Sequence, residues 1–213
     1  MMTKPKLPNQ PFVYVIDDEE TVREALSSLF RSVGLQTKTF GSAKEFLQFK
    51  LPDAPACLVL DVRLPGMSGL DFQIELASMD LRLPIVFISG HADVPMSVKA
   101  MKRGAIEFLT KPFRDQDLLD AVRLAIERDQ VERQRSQMTL DLRTRFDSLT
   151  SREKEVFALV STGLMNKQIA GEMDIREVTV KVHRGNVMRK MGARSLADLV
   201  RMADALGIRQ AQH

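Results

Sequence analysis

Residues 57–61 are Cys57-Leu58-Val59-Leu60-Asp61, an apolar run of strand length that ends in a carboxylate. Similar runs occur elsewhere in the first half of the chain, at Phe12–Ile16, Leu35–Phe40, Ile85–Ile88 and Ile106–Leu109. The segments between them carry apolar residues at helical spacing, such as Val22, Leu26 and Leu29. Strands that alternate with helices are typical of a parallel sheet with helices on both faces. The sequence therefore predicts a doubly wound, five-stranded α/β domain over residues 11–130.

The C-terminal part has a purely helical pattern. Glycine and proline are absent over residues 113–162, which favours a last helix of the α/β domain that continues as a helical linker over residues 131–146. A flexible charged loop is the alternative. Thr150 and Glu153 have the spacing of a capping box that opens a helix. Further helices are predicted over residues 166–173, 177–191 and 195–206. Four short helices make residues 147–213 a module of the size of an all-α DNA-binding domain.

Composition limits the class of protein. Hydrophobic residues make up 44% and charged residues 28% of the chain, as in ordinary globular proteins. No apolar run approaches the ~20 residues that span a bilayer, and residues 1–11 lack the apolar core of a signal peptide. We therefore expect a cytoplasmic protein without membrane partners. Its single cysteine, Cys57, is expected to be a small buried apolar residue rather than a redox group.

The charge is unevenly distributed. Residues 148–213 contain 11 lysines and arginines against 7 acidic residues, whereas the rest of the chain contains 20 against 21. A basic C-terminal third fits a polyanionic partner such as nucleic acid, although a mixed charged surface is common in any globular domain.

Polar side chains follow the predicted strands where each strand ends. Asp17 and Asp18 follow the first strand, Asp61 the third, Ser89 the fourth and Lys111 the fifth. Because the carboxyl ends of parallel strands meet at one edge of the sheet, we expect these side chains to converge. Three converging carboxylates repel one another unless they share a hard cation, and Mg²⁺ prefers oxygen ligands. The sequence therefore predicts Mg²⁺-assisted phosphoryl transfer to an aspartate, with the ammonium and hydroxyl groups holding the phosphoryl oxygens.

Four motifs resemble those of a known family. They are Val15-Ile16-Asp17-Asp18-Glu19, Leu60-Asp61-Val62-Arg63-Leu64-Pro65-Gly66-Met67-Ser68-Gly69, Ser89-Gly90-His91 and Phe108-Leu109-Thr110-Lys111-Pro112-Phe113. In order and spacing they resemble the receiver domains of two-component response regulators, which have a flavodoxin-like fold. The resemblance covers the whole first domain.

The resemblance implies a role for each residue of the pocket. Asp61 would be the phosphoacceptor, and Ser89 and Lys111 would contact the phosphoryl group. Mg²⁺, or Mn²⁺, would be held by Asp17, Asp18, Asp61 and the backbone carbonyl of Arg63. The Lys111–Pro112 peptide bond would be cis. Ser89 and Phe108 would form the switch that responds to phosphorylation, although Ser89 stands where threonine is more common and Phe108 lacks the hydroxyl of a tyrosine.

The C-terminal motifs resemble the LuxR/NarL type of helix-turn-helix. They run over residues 148–156, 163–170 and 178–192, and together with the receiver they place the chain near the FixJ/StyR branch of response regulators. Helical spacing puts Val180, Val187 and Met191 on the core side of the third helix and leaves another side for DNA. The expected DNA contacts are Lys167, Thr179, Lys181, Val182, Arg184, Gly185, Arg189 and Lys190, with Lys167, Arg189 and Lys190 on phosphates. Met165 and Arg176 stand where the family often has serine, which puts the local helix caps in doubt.

The function implied is a transcriptional regulator. A sensor histidine kinase would phosphorylate Asp61, and phosphorylation would promote dimerisation through residues 94–103 and 106–109 and binding to double-stranded DNA. Activation is expected rather than repression, and RNA polymerase is a further candidate partner. One alternative is a regulator that binds DNA independently of phosphorylation. The other is a Mg²⁺-dependent aspartate-nucleophile phosphatase, but such enzymes usually carry an acidic residue where this chain has Arg63, so we expect no enzyme.

Overall fold

The computed structural model describes residues 10–91 and 94–208. Two terminal segments lie outside the described residues. They are residues 1–9, most of the stretch in which no signal peptide is expected, and residues 209–213, the end of the predicted second domain. The chain forms two compact units that divide between Arg133 and Gln134. Each unit is described separately.

The first unit is a parallel sheet with order β2-β1-β3-β4-β5. Its strands are β1 (Phe12–Ile16), β2 (Gln36–Phe40), β3 (Ala56–Asp61), β4 (Ile85–Ser89) and β5 (Glu107–Thr110). Its helices are α1 (Glu20–Ser32), α2 (Ala43–Leu47), α3 (Gly69–Ser78), α4 (Val94–Lys102) and the first part of α5 (Asp115–Asp147). All strand pairs are parallel, as the sequence predicts. Some predicted strand bounds are wrong by one residue. Leu35 and Ile106, for example, were predicted to begin strands but immediately precede β2 and β5.

Alternating side chains of the sheet fill two cores. Tyr14 and Ile16 of β1 pack into one cluster, whereas Val13 and Val15 pack into the other. Both faces of the sheet are therefore covered by helices, and β3 and β4 are buried along their whole length. Cys57 lies fully buried in the second cluster, and burial raises the pKa of its thiol, which agrees with a packing role.

Helix α5 is continuous over 33 residues. Its first turns bury Leu118, Val122 and Ala125 against the sheet, and it runs on through the charged stretch as helix. The predicted linker, residues 131–146, is therefore helical and not the flexible charged loop that was the alternative. Within the described part of the chain, no helix is both long and apolar enough to cross a membrane.

The described part of the second unit, residues 134–208, contains the end of α5 and four further helices. They are α6 (Ser151–Ser161), α7 (Asn166–Met173), α8 (Glu177–Met191) and α9 (Leu196–Leu206). The predicted capping box is present, because Thr150 and Glu153 bond each other's backbone reciprocally. Arg176 makes no side-chain cap, so the doubt about that cap is confirmed. A shared core that includes Val156, Phe157 and Val180 holds the helices together.

Candidate metal centre and nucleic-acid interface

Three carboxylates meet at the carboxyl edge of the sheet. Asp17 and Asp18 follow β1, and Asp61 ends β3, so that one oxygen of each lies within 4.8 Å of the others. Asp17 and Asp61 are buried, whereas Asp18 is exposed. The Oδ1 of Asp17 accepts a hydrogen bond of 2.9 Å from the backbone N–H of Glu19. The predicted convergence of these residues is confirmed.

Lys111 enters this cluster from the end of β5. The Lys111–Pro112 peptide bond is cis, as expected. The Lys111 Nζ donates to Oδ2 of Asp17 at 2.7 Å and lies 3.5 Å from Oδ1 of Asp61. Burial lowers the lysine pKa, but the hydrogen bond from Lys111 to Asp17 and the charges of Asp17 and Asp61 outweigh burial and raise it. Lys111 is therefore an ammonium held between two buried carboxylates.

Asp61 is electrostatically distinct. Burial raises the pKa of its carboxyl, the charge of Lys111 opposes this, and the charge of Asp17 adds to it. The net effect is a raised pKa. A carboxylate that is poorly solvated and close to like charges gains most from an arriving cation, so the site favours a hard metal ion beside Asp61.

The donor set fits Mg²⁺. Asp17, Asp18 and Asp61 supply oxygen ligands from two strands, and the exposure of Asp18 leaves room for the water molecules that Mg²⁺ retains. Receiver domains typically bind this ion at such an acidic pocket. The carbonyl of Arg63 remains a predicted ligand; the loop that carries it is closed by an antiparallel bridge from Arg63 to Ser68.

Two residues that support the pocket were not predicted. Arg23 of α1 donates from Nη1 to the carbonyls of Asp17 at 2.7 Å and Asp18 at 2.9 Å. Gly69 packs so closely that a Cβ atom there would collide with the carbonyl of Asp61. Arg23 lies one turn into the helix that follows the acidic pair Asp17 and Asp18. This position in the sequence is the feature from which its contact with the pocket could have been predicted. The two hydrogen bonds of Arg23 fix the backbone that carries Asp17 and Asp18.

The two predicted switch residues lie on the neighbouring strands β4 and β5. Ser89 is fully buried, and its Oγ donates to the carbonyl of His91 at 2.9 Å and accepts from the His91 N–H at 3.3 Å. Phe108 is half-buried on β5, with its ring centroid 6.0 Å from that of Phe87. Ser89 is therefore bonded to its own loop and not to the carboxylates.

The expected DNA-binding residues lie mostly on the outer side of α8. Lys181, Val182, Gly185 and Arg189 are exposed, as is Lys167 on α7. Thr179 is half-buried near the start of α8. The opposite side of α8 buries Val180, Val187 and Met191, as predicted from helical spacing. A basic, exposed helix face opposite a buried one is suited to the major groove.

Two basic residues of α8 are engaged within the domain. Arg184 is half-buried and donates to Oδ1 of Asn166 at 2.9 Å, which ties α8 to α7. Lys190 donates to the buried Glu153 at 2.6 Å and to the Ser148 carbonyl at 3.3 Å. Lys190 therefore neutralises a buried carboxylate within the domain, and its role as a phosphate contact stays a prediction.

Comparison with known proteins identifies a family for each of two segments of the chain. Residues 13–123 match the family described as response regulator receiver domain. Residues 147–203 match the bacterial regulatory proteins of the luxR family. These two ranges contain the acidic pocket and helices α6 to α8, respectively.

Relatives match over nearly the full chain. Nodulation protein W of Bradyrhizobium diazoefficiens is 57% identical over 196 residues, 92% of this chain and 86% of that protein. Transcriptional regulatory protein FixJ of Rhizobium meliloti is 42% identical over 195 residues, 92% of this chain and 96% of that protein. The solved structure of response regulator StyR matches with a TM-score of 0.84 and 50% identity, covering 92% of this chain and 98% of that one.

The matches establish what kind of protein this is. The family consists of transcription regulators rather than enzymes, and the combination of a receiver with a helix-turn-helix implies a sensor kinase and DNA as partners. The chain belongs to the two-component response regulators of the FixJ and StyR type, DNA-binding transcription regulators that join a receiver domain to a LuxR-type helix-turn-helix.

Proposed function

We propose that a sensor histidine kinase phosphorylates Asp61 and that phosphorylation promotes dimerisation and promoter binding. The observation that carries the proposal is the position of Asp61: a buried carboxylate next to Asp17, Asp18 and the ammonium of Lys111. Because its DNA target lies in the cytoplasm, we propose that the protein acts there. We propose activation of transcription, with RNA polymerase as a further contact.

The chemistry proposed for the pocket is transfer of a phosphoryl group from phosphohistidine. A carboxylate oxygen of Asp61 attacks phosphorus, the N–P bond breaks, and its electron pair returns to the imidazole nitrogen of the donor. Mg²⁺, or Mn²⁺, when held by Asp17, Asp18, Asp61 and the Arg63 carbonyl, supplies charge neutralisation for the phosphoryl oxygens. Lys111 lies 3.5 Å from Asp61 and is placed to pair with a phosphoryl oxygen.

The response is proposed to begin at Ser89. Its hydroxyl would leave the His91 carbonyl to bond a phosphoryl oxygen, and Phe108 would turn inward beside Phe87. Phe108 has no hydroxyl, so packing alone would carry its part of the change. The exposed apolar residues Val94, Val98 and Met101 of α4 support the proposed dimer face next to β5.

The proposed DNA contacts are the exposed residues of the second unit. Lys181 and Val182, with Thr179 at the start of α8, would approach base edges, and Gly185 would let the backbone approach the groove. Arg184, which is hydrogen-bonded to Asn166, would also approach base edges. Lys167, Arg189 and Lys190 would bind phosphates, which fix position but not sequence.

The test is incorporation of phosphate from a labelled small phosphodonor in the presence of Mg²⁺, followed by mapping of the labelled residue. We expect one acid-stable, base-labile acyl phosphate on Asp61 and none in Asp61→Asn. Label on another residue would contradict the proposal. Repeated rapid turnover of the donor would favour the phosphatase alternative, and DNA binding that is equal with and without label would favour a phosphorylation-independent regulator.

A further inference from the structure

The end of the linker helix contacts the end of the predicted recognition helix. Arg145, in the last turns of α5, donates from Nη1 to the carbonyl of Met191, the final residue of α8, at 3.0 Å. The carbonyls of a helix's last turn have no partner within the helix, and a cation there also interacts favourably with the helix dipole. Arg145 therefore provides a C-terminal cap for α8 from another helix.

A second observation shows how closely Arg145 approaches. Gly192 follows α8 with φ +72, and a Cβ atom on it would lie 2.6 Å from Nη1 of Arg145. Glycine at this position therefore meets two requirements: a left-handed backbone and space for the guanidinium. Any side chain there would displace Arg145 from the Met191 carbonyl.

The surrounding packing holds the end of α5 in place. The ring of Phe146 lies 5.4 Å from that of Phe157 in an edge-on contact, and Leu142 and Phe146 pack against the helical core. Lys154 of α6 lies over the Phe146 ring at 5.0 Å. The last turns of α5 are thus part of the second unit, although the luxR family match begins only at residue 147.

We propose that Arg145 is a positioning residue for DNA recognition: it fixes the C-terminal end of α8, and therefore the angle at which α8 meets the groove. The proposal rests on the proposed DNA contacts of α8. Two further polar contacts orient this helix, from Arg184 to Asn166 and from Lys190 to Glu153. Base contacts depend on the helix angle more steeply than phosphate contacts do, so loss of Arg145 reduces specific binding more than non-specific binding.

The experiment uses the full chain and two duplexes of equal length: one selected by the wild type from a random-sequence pool, and one of scrambled sequence. For Arg145→Ala we expect the affinity for the selected duplex to fall about fivefold, a moderate effect because the hydrogen bond from Arg145 to the Met191 carbonyl is only partly buried. Affinity for the scrambled duplex should change less than about twofold. Arg145→Lys, which retains one donor and the charge, should restore much of the loss.

Arg143→Ala is the matched control, since Arg143 lies on the same helix, is exposed and pairs only weakly with Asp147 at 3.8 Å. It should leave the ratio of the two affinities unchanged. Wild-type affinity of Arg145→Ala for the selected duplex would overturn the proposal, as would an equal loss on both duplexes. Because the comparison is made on unphosphorylated protein, and Asp61 labelling is measured on the same samples, failure here is distinguishable from failure of the phosphorylation switch.

Discussion

Lys111 bonds Asp17 rather than Asp61: its Nζ lies 2.7 Å from Oδ2 of Asp17 and 3.5 Å from Oδ1 of Asp61. One ammonium thus partly neutralises two buried carboxylates, and the closer of the two is Asp17, a predicted metal ligand, rather than Asp61, which is predicted to be both a metal ligand and the phosphoacceptor. Lys111 therefore pairs with Asp61 at a longer distance than with Asp17.

Removal of Lys111 should make the receiver depend on metal. Lys111→Met leaves Asp17 and Asp61 without their cation, and we expect it to lower the free energy of unfolding without metal by about 1–3 kcal/mol. Mg²⁺ should restore more stability to the variant than it adds to the wild type, because the metal then provides the missing charge. Hydrogen exchange of β1 and β3 amides with Mg²⁺ or with EDTA measures both values. Lys102→Met, an exposed change on α4, is the control; equal responses of the two variants to Mg²⁺ would contradict the prediction.

Arg23 should influence metal affinity without being a ligand. Arg23→Gln removes the donor to the Asp17 and Asp18 carbonyls, so the loop that presents both carboxylates loosens. We expect Mg²⁺ affinity, measured by calorimetric titration, to fall about tenfold, since misplaced ligands bind metal more weakly. Arg31→Gln serves as control because Arg31 lies on the same helix and makes only an exposed bond to Ser27. Unchanged affinity in Arg23→Gln would show that the loop keeps its shape without the arginine.

Ser89 should separate phosphorylation from response. Ser89→Ala keeps the nucleophile and the carboxylate cluster, so Asp61 should still incorporate phosphate. Dimerisation on phosphorylation should weaken by about tenfold, equivalent to about 1.4 kcal/mol, because the hydroxyl proposed to follow the phosphoryl group is missing. Analytical ultracentrifugation with and without phosphodonor measures this, with the exposed Ser78→Ala as control. A full dimerisation response in Ser89→Ala would remove Ser89 from the switch.

The ion pair between Glu153 and Lys190 gives the second unit a defined pH dependence. The hydrogen bond from Lys190 and the capping bond from Thr150 hold the pKa of Glu153 below its ordinary value of 4.5. A lowered folded-state pKa means that the stabilisation is complete above the unfolded-state value and is lost as pH falls through the folded-state value. Glu153→Gln should therefore lower the free energy of unfolding by about 1–3 kcal/mol near neutral pH. The difference from wild type should shrink as the pH falls below the pKa of a free glutamate carboxyl.

Hydrogen exchange of α6 and α8 amides over a pH series, corrected for intrinsic rates, measures this in the full chain. Glu155→Gln is the control, because Glu155 forms an exposed pair with Arg152; it should change stability by less than about 0.5 kcal/mol. A difference between Glu153→Gln and wild type that is constant with pH would show that the ion pair contributes nothing to stability.

Most of the fold and the pocket could be predicted from the sequence for simple reasons. Apolar runs spaced by helices specify a parallel sheet, and the ends of parallel strands share one edge. Asp17, Asp61 and Lys111 therefore had to converge, although 94 residues separate the first from the last. The spacing of Thr150 and Glu153 likewise marked the start of α6, which the structure confirms.

The contacts that were not predictable depend on how elements pack. Nothing in the sequence near Lys190 indicates that it forms an ion pair with Glu153, 37 residues away. The bond from Arg145 to the Met191 carbonyl likewise depends on the seating of α5 against α8, and helical spacing in either segment does not specify it. Arg23 was not predicted either; its place near the start of α1 indicates proximity to the pocket but not its two carbonyl acceptors.

The central claim is that Asp61 is the switch for DNA binding. The most direct measurement compares dimerisation and binding to the selected duplex for wild type and Asp61→Asn, each with Mg²⁺ and either a small phosphodonor or a phosphoryl mimic. We predict that both properties increase in the wild type only, while Asp61→Asn keeps its fold and its basal DNA affinity. Equal dimerisation and DNA binding by the two proteins under all conditions would contradict it.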